Sequence, residues 1–352
     1  MPRLSAVGNY IFAGGFTLGV EQHFKVLAHL EDGLFGVNTF RLNRPRVPIF
    51  ADRATWPAAD YKGVDLLYCN PPCAPWSAAG LSMMHGGSNW KTDPRTSCVR
   101  HAHELALSIQ PRVWLWESVV RAFSCGRELV DELTRDWIRR GYSVTYLFTD
   151  LAHHGAAQYR KRFFFIAHKY ELEFRWPEDM HIITCAEVIG RKGLKLSYVC
   201  EVPKKWLDWL PRAKPGEALS QVWMRIYPKR AARIETRENG RTYVPGRPHL
   251  LAHRIRPDRP IGTVTSVTAH IHYKEQRFLG HEELLLLGGW PIDWKFSGSK
   301  GMWQSEIAKA VQPPAAEYVA ANVARSLRRN IRIREPRVQI IDTRSPYEHE
   351  QL

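Results

Sequence analysis

The strongest constraint on the fold is a recurring unit, a short apolar run that ends at once in residues able to do chemistry. Val64-Asp65-Leu66-Leu67-Tyr68 has the make-up of a buried strand, and Asn70-Pro71-Pro72 stops it, so Cys73 falls on a loop where a sheet ends. Val113-Trp114-Leu115-Trp116 repeats the form and ends in Glu117-Ser118-Val119. Gln158-Tyr159-Arg160-Lys161-Arg162 opens a further run, Phe163 to Ala167. Open α/β sheets bind ligands outside their strand ends, so a thiol, a carboxylate and two arginines can converge on one edge.

Helical spacing fills the gaps, over Arg100 to Ile109 and over Cys125 to Arg140, with Gly141 as a stop. Phe24 to Leu30 predicts a second strand ending at Glu31-Asp32, and Val47 to Ala51 a third ending at Asp52. Residues 6–168 therefore predict an α/β fold with a doubly wound, mostly parallel sheet. From about Lys169 the periodicity degrades, proline and arginine rise, and strand-like pieces such as Ser197 to Val202 stand between turns. Regularity returns at Pro260 to Val264, and helices are expected over Glu282 to Gly289 and Ala315 to Leu327.

Fifty lysines and arginines against 35 acidic residues leave a formal charge of +15, the footprint of a polyanion partner. The charge is uneven. A basic stretch from Arg191 to Arg247 contains Lys229, Arg230, Arg233 and Arg241, interleaved with Trp206, Trp209, Trp223, Tyr227 and Tyr243. Arg328 to Arg334 reads as a basic tail, either a solvated end or a phosphate contact. No apolar stretch approaches the roughly 18 residues that span a bilayer, and Met1 to Ser5 lacks a signal-peptide block, so a cytoplasmic protein with no membrane partner is expected. The six cysteines form no CxxC pair and lie near no histidine at finger spacing, which argues for free thiols and against a metal site.

Taken in order, the blocks resemble the DNA (cytosine-5)-methyltransferases. They run from Ala13-Gly14-Gly15-Phe16-Thr17-Leu18-Gly19 through Pro72-Cys73, Glu117-Ser118-Val119 and Gln158 to Arg162, then Arg277-Phe278-Leu279, Glu282 and Gly289-Trp290-Pro291, to Ala310-Val311-Gln312-Pro313-Pro314. Each block alone is weak, and a cysteine after a strand is more often a packing residue than a nucleophile. Their order over residues 8–328 is what carries the match. The resemblance implies a Rossmann-like methyltransferase fold with a smaller, irregular target-recognition domain. The expected parts are a catalytic and cofactor domain over 1–180, target recognition over 181–280, a hinge and returning helix over 281–328, and a basic tail over 329–352.

By the same resemblance the substrate is cytosine in double-stranded DNA, turned out of the stack because a thiol cannot reach the ring face inside a duplex. Cys73 would add to carbon 6 while Glu117 contacts N3, which makes the otherwise unreactive carbon 5 enamine-like. Arg162 would reach O2 and Arg160 would orient the acid. The cofactor would be S-adenosylmethionine, held by Phe12, Ala13, Gly14, Gly15, Phe16 and Thr17, by Glu31 at the ribose, Asp52 at the adenine amino group, and Pro72, Lys309, Ala310 and Val311. A monomer in a prokaryotic or virus-infected host cell is the expected setting.

The chain departs from the family pattern at Phe12 and Lys309, which stand for glycine and asparagine, and at Ala74 and Ser118, which stand for glutamine and asparagine. Lys309 leaves the transferred group open. Two positive charges about 5 Å apart repel by roughly 3 kcal/mol at an effective dielectric near 20, so a sulfonium gains nothing beside a lysine, whereas carboxy-S-adenosylmethionine would find a partner there and yield 5-carboxymethylcytosine. An RNA cytosine-5 methyltransferase and an inactive DNA-binding relative are the remaining readings.

Overall fold

The computed structural model describes residues 3–32, 35–77, 90–175, 181–190, 193–233, 235–236, 242–243, 252–266 and 269–344. The first strands are β1 (Leu4–Asn9), β2 (Phe24–Leu30), β3 (Ile49–Phe50), β4 (Leu66–Cys69), β5 (Val113–Val119), β6 (Ser143–Asp150) and β7 (Lys161–His168). A smaller lobe carries β8 (Glu235–Thr236), β9 (Thr242–Tyr243), β10 (Ala252–Arg254) and β11 (Ala269–Ile271), and β12 (Val338–Thr343) follows near the end of the described chain. The central sheet runs in the order β12-β6-β7-β5-β4-β1-β2-β3. Only β7 is antiparallel to its neighbours. Chain direction across the sheet reverses between β1 and β4, so the crevice beyond their carboxyl ends is the natural ligand site.

Both faces of this sheet are covered, which is why its strands read as continuous apolar runs. Val113 and Leu115 face one core with Phe16 and the helix Pro313–Arg329, while Trp114 and Trp116 face another with the helices Ser97–Ile109 and Arg127–Arg139. The long helix near the carboxyl end packs tightly on the helix Gly15–Val20, since a Cβ at Gly19 would lie 2.3 Å from the Glu317 nitrogen. Among the described residues no helix is long and apolar enough to cross a membrane.

The helix expected over Cys125 to Arg140 is present as Arg127–Arg139, and a separate short helix, Val120–Cys125, precedes it. Gly126 separates them, and the indole nitrogen of Trp76 would stand 2.5 Å from any Cβ there. The basic run from Arg328 to Arg334 is mostly exposed, as a solvated end would be, yet it is tied to the large lobe. Glu171 and Ile333 exchange backbone hydrogen bonds with Ile331 and Lys169, and β12 then joins β6 in parallel register, Val338 opposite Val144. The β-branched run Val338-Gln339-Ile340-Ile341 suits a strand, and an open edge at β6 was there to accept it.

In the smaller lobe Leu210, Leu219, Val222, Ala252, Ile271 and Phe278 make a separate core. Ser197 to Val202, read as strand-like, makes an isolated bridge from Val199 to Gly280, and the Ser197 nitrogen donates to the Glu282 carboxylate.

Candidate active site

Cys73 lies on the loop after β4, where its carbonyl accepts hydrogen bonds from the nitrogens of Trp76 and Ser77 at 3.1 and 3.0 Å. Trp76 is buried against Gly126 and Trp116, so the turn bearing the thiol is anchored in the core. The thiol itself is half-buried. Burial pushes its pKa up, the Arg162 guanidinium pulls it down, Glu117 raises it again and Arg160 lowers it, so one field joins all four groups. Arg95 and Lys309 also feel the Cys73 charge.

Glu117 sits near the end of β5, buried, with its pKa raised by burial and opposed by Arg162 and Arg160. Its Oε1 lies 2.7 Å from Arg162 Nε, and its Oε2 accepts from Asn70 Nδ2 at 2.5 Å. The arrangement corrects the expectation for Arg160. That guanidinium is buried and donates to the carbonyls of Val264, Ala308 and Ala310, at 3.1, 2.6 and 3.2 Å. Register is the cause: Arg162 stands opposite Val119 in the β5–β7 pair, two residues from Glu117, whereas Arg160 precedes the strand. Asn70 reads in the sequence only as part of the strand stop, and its one further signal is a place on the same strand end as Cys73.

The glycine turn after β1 is tight. Tyr10 and Phe12 hold φ of 54° and 51°, the left-handed region that favours glycine, and Gly14 follows at 95°. A Cβ at Gly15 would lie 2.2 Å from the Val311 carbonyl oxygen, so the segment bearing Lys309, Ala310 and Val311 closes directly on this turn. Ala13, Phe16 and Thr17 are buried in the core, Thr17 hydrogen-bonded to the Tyr68 hydroxyl at 2.9 Å. Pro72 is half-buried beside Cys73.

Glu31 and Asp52 stand beyond the paired ends of neighbouring strands, Leu30 being opposite Phe50. Glu31 is buried and its two oxygens share the Ile11 nitrogen at 3.1 and 3.2 Å, while burial drives its pKa up to about 8. Asp52 is exposed and accepts from the Ala54 nitrogen. Each carboxylate keeps unused acceptor capacity. Two such groups at adjacent strand ends, next to a glycine turn, fit the ribose and amino donors of an adenosine-type cofactor. Lys309 lies 4.1 Å from the centroid of the Phe35 ring, which meets Phe12 edge-on at 5.8 Å.

Of the basic residues expected to meet DNA, Lys229, Arg230 and Arg233 are exposed on the smaller lobe, Arg230 over the Tyr227 ring and Arg233 paired with Glu235. Arg241 lies outside the described residues. Among the described residues no group of His, Cys, Asp and Glu is placed to hold a metal ion.

The family model described as C-5 cytosine-specific DNA methylase matches residues 11–325. Type II methyltransferase M1.HphI of Haemophilus parahaemolyticus is 26% identical over 335 residues, covering 88% of this chain and 84% of its own. Type II methyltransferase M.NgoMIV of Neisseria gonorrhoeae is 25% identical over 349 residues, covering 90% and 96%. Among solved structures, a putative DNA modification methyltransferase encoded within an E. coli prophage superposes with a TM-score of 0.63 at 18% identity, over 92% of this chain and 99% of that one. The S. pombe Dnmt2 methyltransferase gives 0.60 at 12% identity, over 92% and 99%. At these identities the structural likeness establishes the fold.

Proposed function

The chain belongs to the C-5 cytosine-specific DNA methylases, and from that premise we propose that it transfers a methyl group to carbon 5 of cytosine in duplex DNA, with Cys73 as nucleophile. The observation that carries the reading is the coupling of Cys73, Glu117 and Arg162 at one sheet edge. The arginines favour the thiolate, which adds to carbon 6 of a cytosine turned out of the duplex. Glu117, whose pKa burial raises against the pull of Arg162 and Arg160, gives a proton toward N3, and electron density moves to carbon 5. Arg162 fixes the carboxyl and presents its remaining donors to the base. S-adenosylmethionine, when bound, supplies an electrophilic methyl group on a sulfonium. Loss of the carbon 5 proton then expels the Cys73 thiolate.

Glu31, Asp52 and the turn at Phe12 to Gly15 would hold the cofactor, and residues 181–280 would read the target, with Lys229, Arg230 and Arg233 on phosphates. Nucleoside mass analysis of DNA and RNA from expressing cells tests the proposal. 5-Methylcytosine in DNA that vanishes in Cys73→Ser supports it; the base in RNA alone, or in neither, overturns it.

A second reading concerns the transferred group and rests on Lys309, whose ammonium lies over the Phe35 ring and feels the Cys73 charge. A carboxylate on the transferable carbon would pair with it, giving 5-carboxymethylcytosine. Offering S-adenosylmethionine and its carboxylated derivative together to the wild type and to Lys309→Asn decides the matter. A preference for the carboxylated cofactor that the variant loses favours this reading, and equal use of S-adenosylmethionine by both proteins removes it.

A further inference from the structure

Expulsion of the Cys73 thiolate requires a group that removes the proton from carbon 5. Among the described residues, Glu117, Arg162, Arg160, Arg95 and Lys309 exchange charge effects with that thiol. Cys73 itself is bonded to carbon 6 at that moment, and Glu117 is engaged at N3. A guanidinium stays protonated in proteins, so none of the three arginines can accept a proton. Lys309 is what remains. Glu306, one helical turn before it, is buried and its carboxylate already accepts from the Thr39 hydroxyl at 2.5 Å.

The place of Lys309 in the fold suits the task. It ends the helix Lys300–Lys309, and Arg160 holds the carbonyls on either side of it, those of Ala308 and Ala310. Two residues on, the Val311 carbonyl closes on Gly15. Its ammonium lies over the Phe35 ring, which meets Phe12 of the glycine turn. Lys309 is thus tied to the cofactor turn on one side, within range of the thiol on the other, and exposed. Transfer would also change its protonation. Burial lowers the Lys309 pKa, the Cys73 and Glu306 charges raise it, and Arg95 lowers it again. A bound sulfonium adds a positive charge and the thiol's bond to carbon 6 removes a negative one, so the neutral amine is favoured. Once the methyl group has moved, sulfur is neutral and the departing thiolate restores the negative charge. Lys309 therefore gains affinity for a proton at the step that releases one.

We propose that Lys309 is the general base that takes the carbon 5 proton after methyl transfer, a role that the asparagine amide usual at this position in the family cannot fill. The inference rests on methyl transfer to cytosine in duplex DNA. In the step, the carbon 5–hydrogen pair becomes the carbon 5–carbon 6 double bond and the carbon 6–sulfur pair leaves on Cys73. The carbon 5 proton binds Lys309 Nζ, and the N3 proton returns to Glu117. The exposed ammonium then passes its proton to water.

The test begins by mapping the cytosine that the wild-type enzyme modifies in plasmid DNA, and uses a short duplex centred on it. A single turnover with saturating, methyl-labelled S-adenosylmethionine is quenched in denaturant for wild type, Lys309→Ala and Lys309→Arg, with melting temperature as a check on folding. The wild type should pass its label to free DNA. In both variants the label should first appear in DNA still covalently bound to protein, and that complex should resolve about a hundredfold more slowly. Arginine keeps the positive charge but stays protonated, so a purely electrostatic role would leave Lys309→Arg at the wild-type pace. Ethylamine, admitted by the space left in Lys309→Ala, should speed resolution in that variant and leave the wild type unchanged. Wild-type release in either variant, loss of transfer itself in Lys309→Ala, or no response of that variant to the amine would overturn the inference. A wild type that moves no methyl group to duplex DNA would instead defeat the reading on which it rests.

Discussion

Arg162 meets Glu117 at 2.7 Å, while Arg160, two residues earlier, spends its donors on the backbone carbonyls of Val264, Ala308 and Ala310. Both arginines bear on protonation at Cys73 and Glu117, Arg162 the more strongly, while Arg160 alone also ties the Lys309 segment to the large lobe. Their substitutions should therefore fail in different ways.

Arg162→Gln removes the largest influence that lowers the Cys73 pKa, and the same change lets the Glu117 pKa rise further. Thiolate forms as pH rises, so the rise in adduct formation with 5-fluorocytosine DNA should shift to higher pH in the variant, with a lower rate at neutral pH. A rate profile measured across pH checks this, and an unmoved profile would detach Arg162 from the thiol.

Arg160→Lys should instead lower stability, by about 2 kcal/mol, because one ammonium cannot serve three separated carbonyls as a guanidinium does. Denaturant unfolding gives the loss, and cofactor affinity should fall with it as the Lys309 segment loosens.

Cys73→Ser should reduce transfer by about a thousandfold or more while leaving folding and DNA binding close to wild type. The hydroxyl is a weaker nucleophile toward carbon 6, and the half-buried site admits an oxygen without strain. A covalent adduct with 5-fluorocytosine DNA should form only with the cysteine; comparable rates in the serine variant would place the nucleophile elsewhere.

Glu31 has a signature in stability. Its folded-state pKa is raised from 4.5 to about 8, so between those values the folded protein holds a proton that the unfolded chain has released. Stability from this group is full below about pH 4.5, falls as pH climbs, and is gone above about pH 8. Glu31→Gln should match the wild type in acid and exceed it above pH 8 by about 2–4 kcal/mol, measured on the cofactor-free protein. It should also bind S-adenosylmethionine more weakly, having lost a strong acceptor.

Gly15→Ala tests how closely the turn and the Val311 segment fit. The new Cβ would stand 2.2 Å from the Val311 carbonyl oxygen and 2.6 Å from the Trp290 ring, so backbone must move, at a cost of about 1–3 kcal/mol. Thermal unfolding measures the cost, and a neutral substitution would mean that the two segments are not locked together.

What the sequence determined by itself was local and periodic. Apolar runs ending in Cys73, Glu117 and Glu31 specified strands and the edge on which their terminal residues meet, because burial on both faces leaves little choice of pattern. The glycine turn was equally plain, since a tight backbone needs the missing Cβ at Gly14 and Gly15. Tertiary structure alone decided which arginine met the acid, because that depends on the register of β7 against β5, set by contacts across the sheet. It alone fixed the start of the helix Arg127–Arg139 after Gly126, where the distant Trp76 claims the space, and buried Glu31 deeply enough to raise its pKa. And it turned a basic tail into β12: whether a short β-branched segment stays in water or becomes a strand depends on an open edge elsewhere in the chain, which no local pattern records.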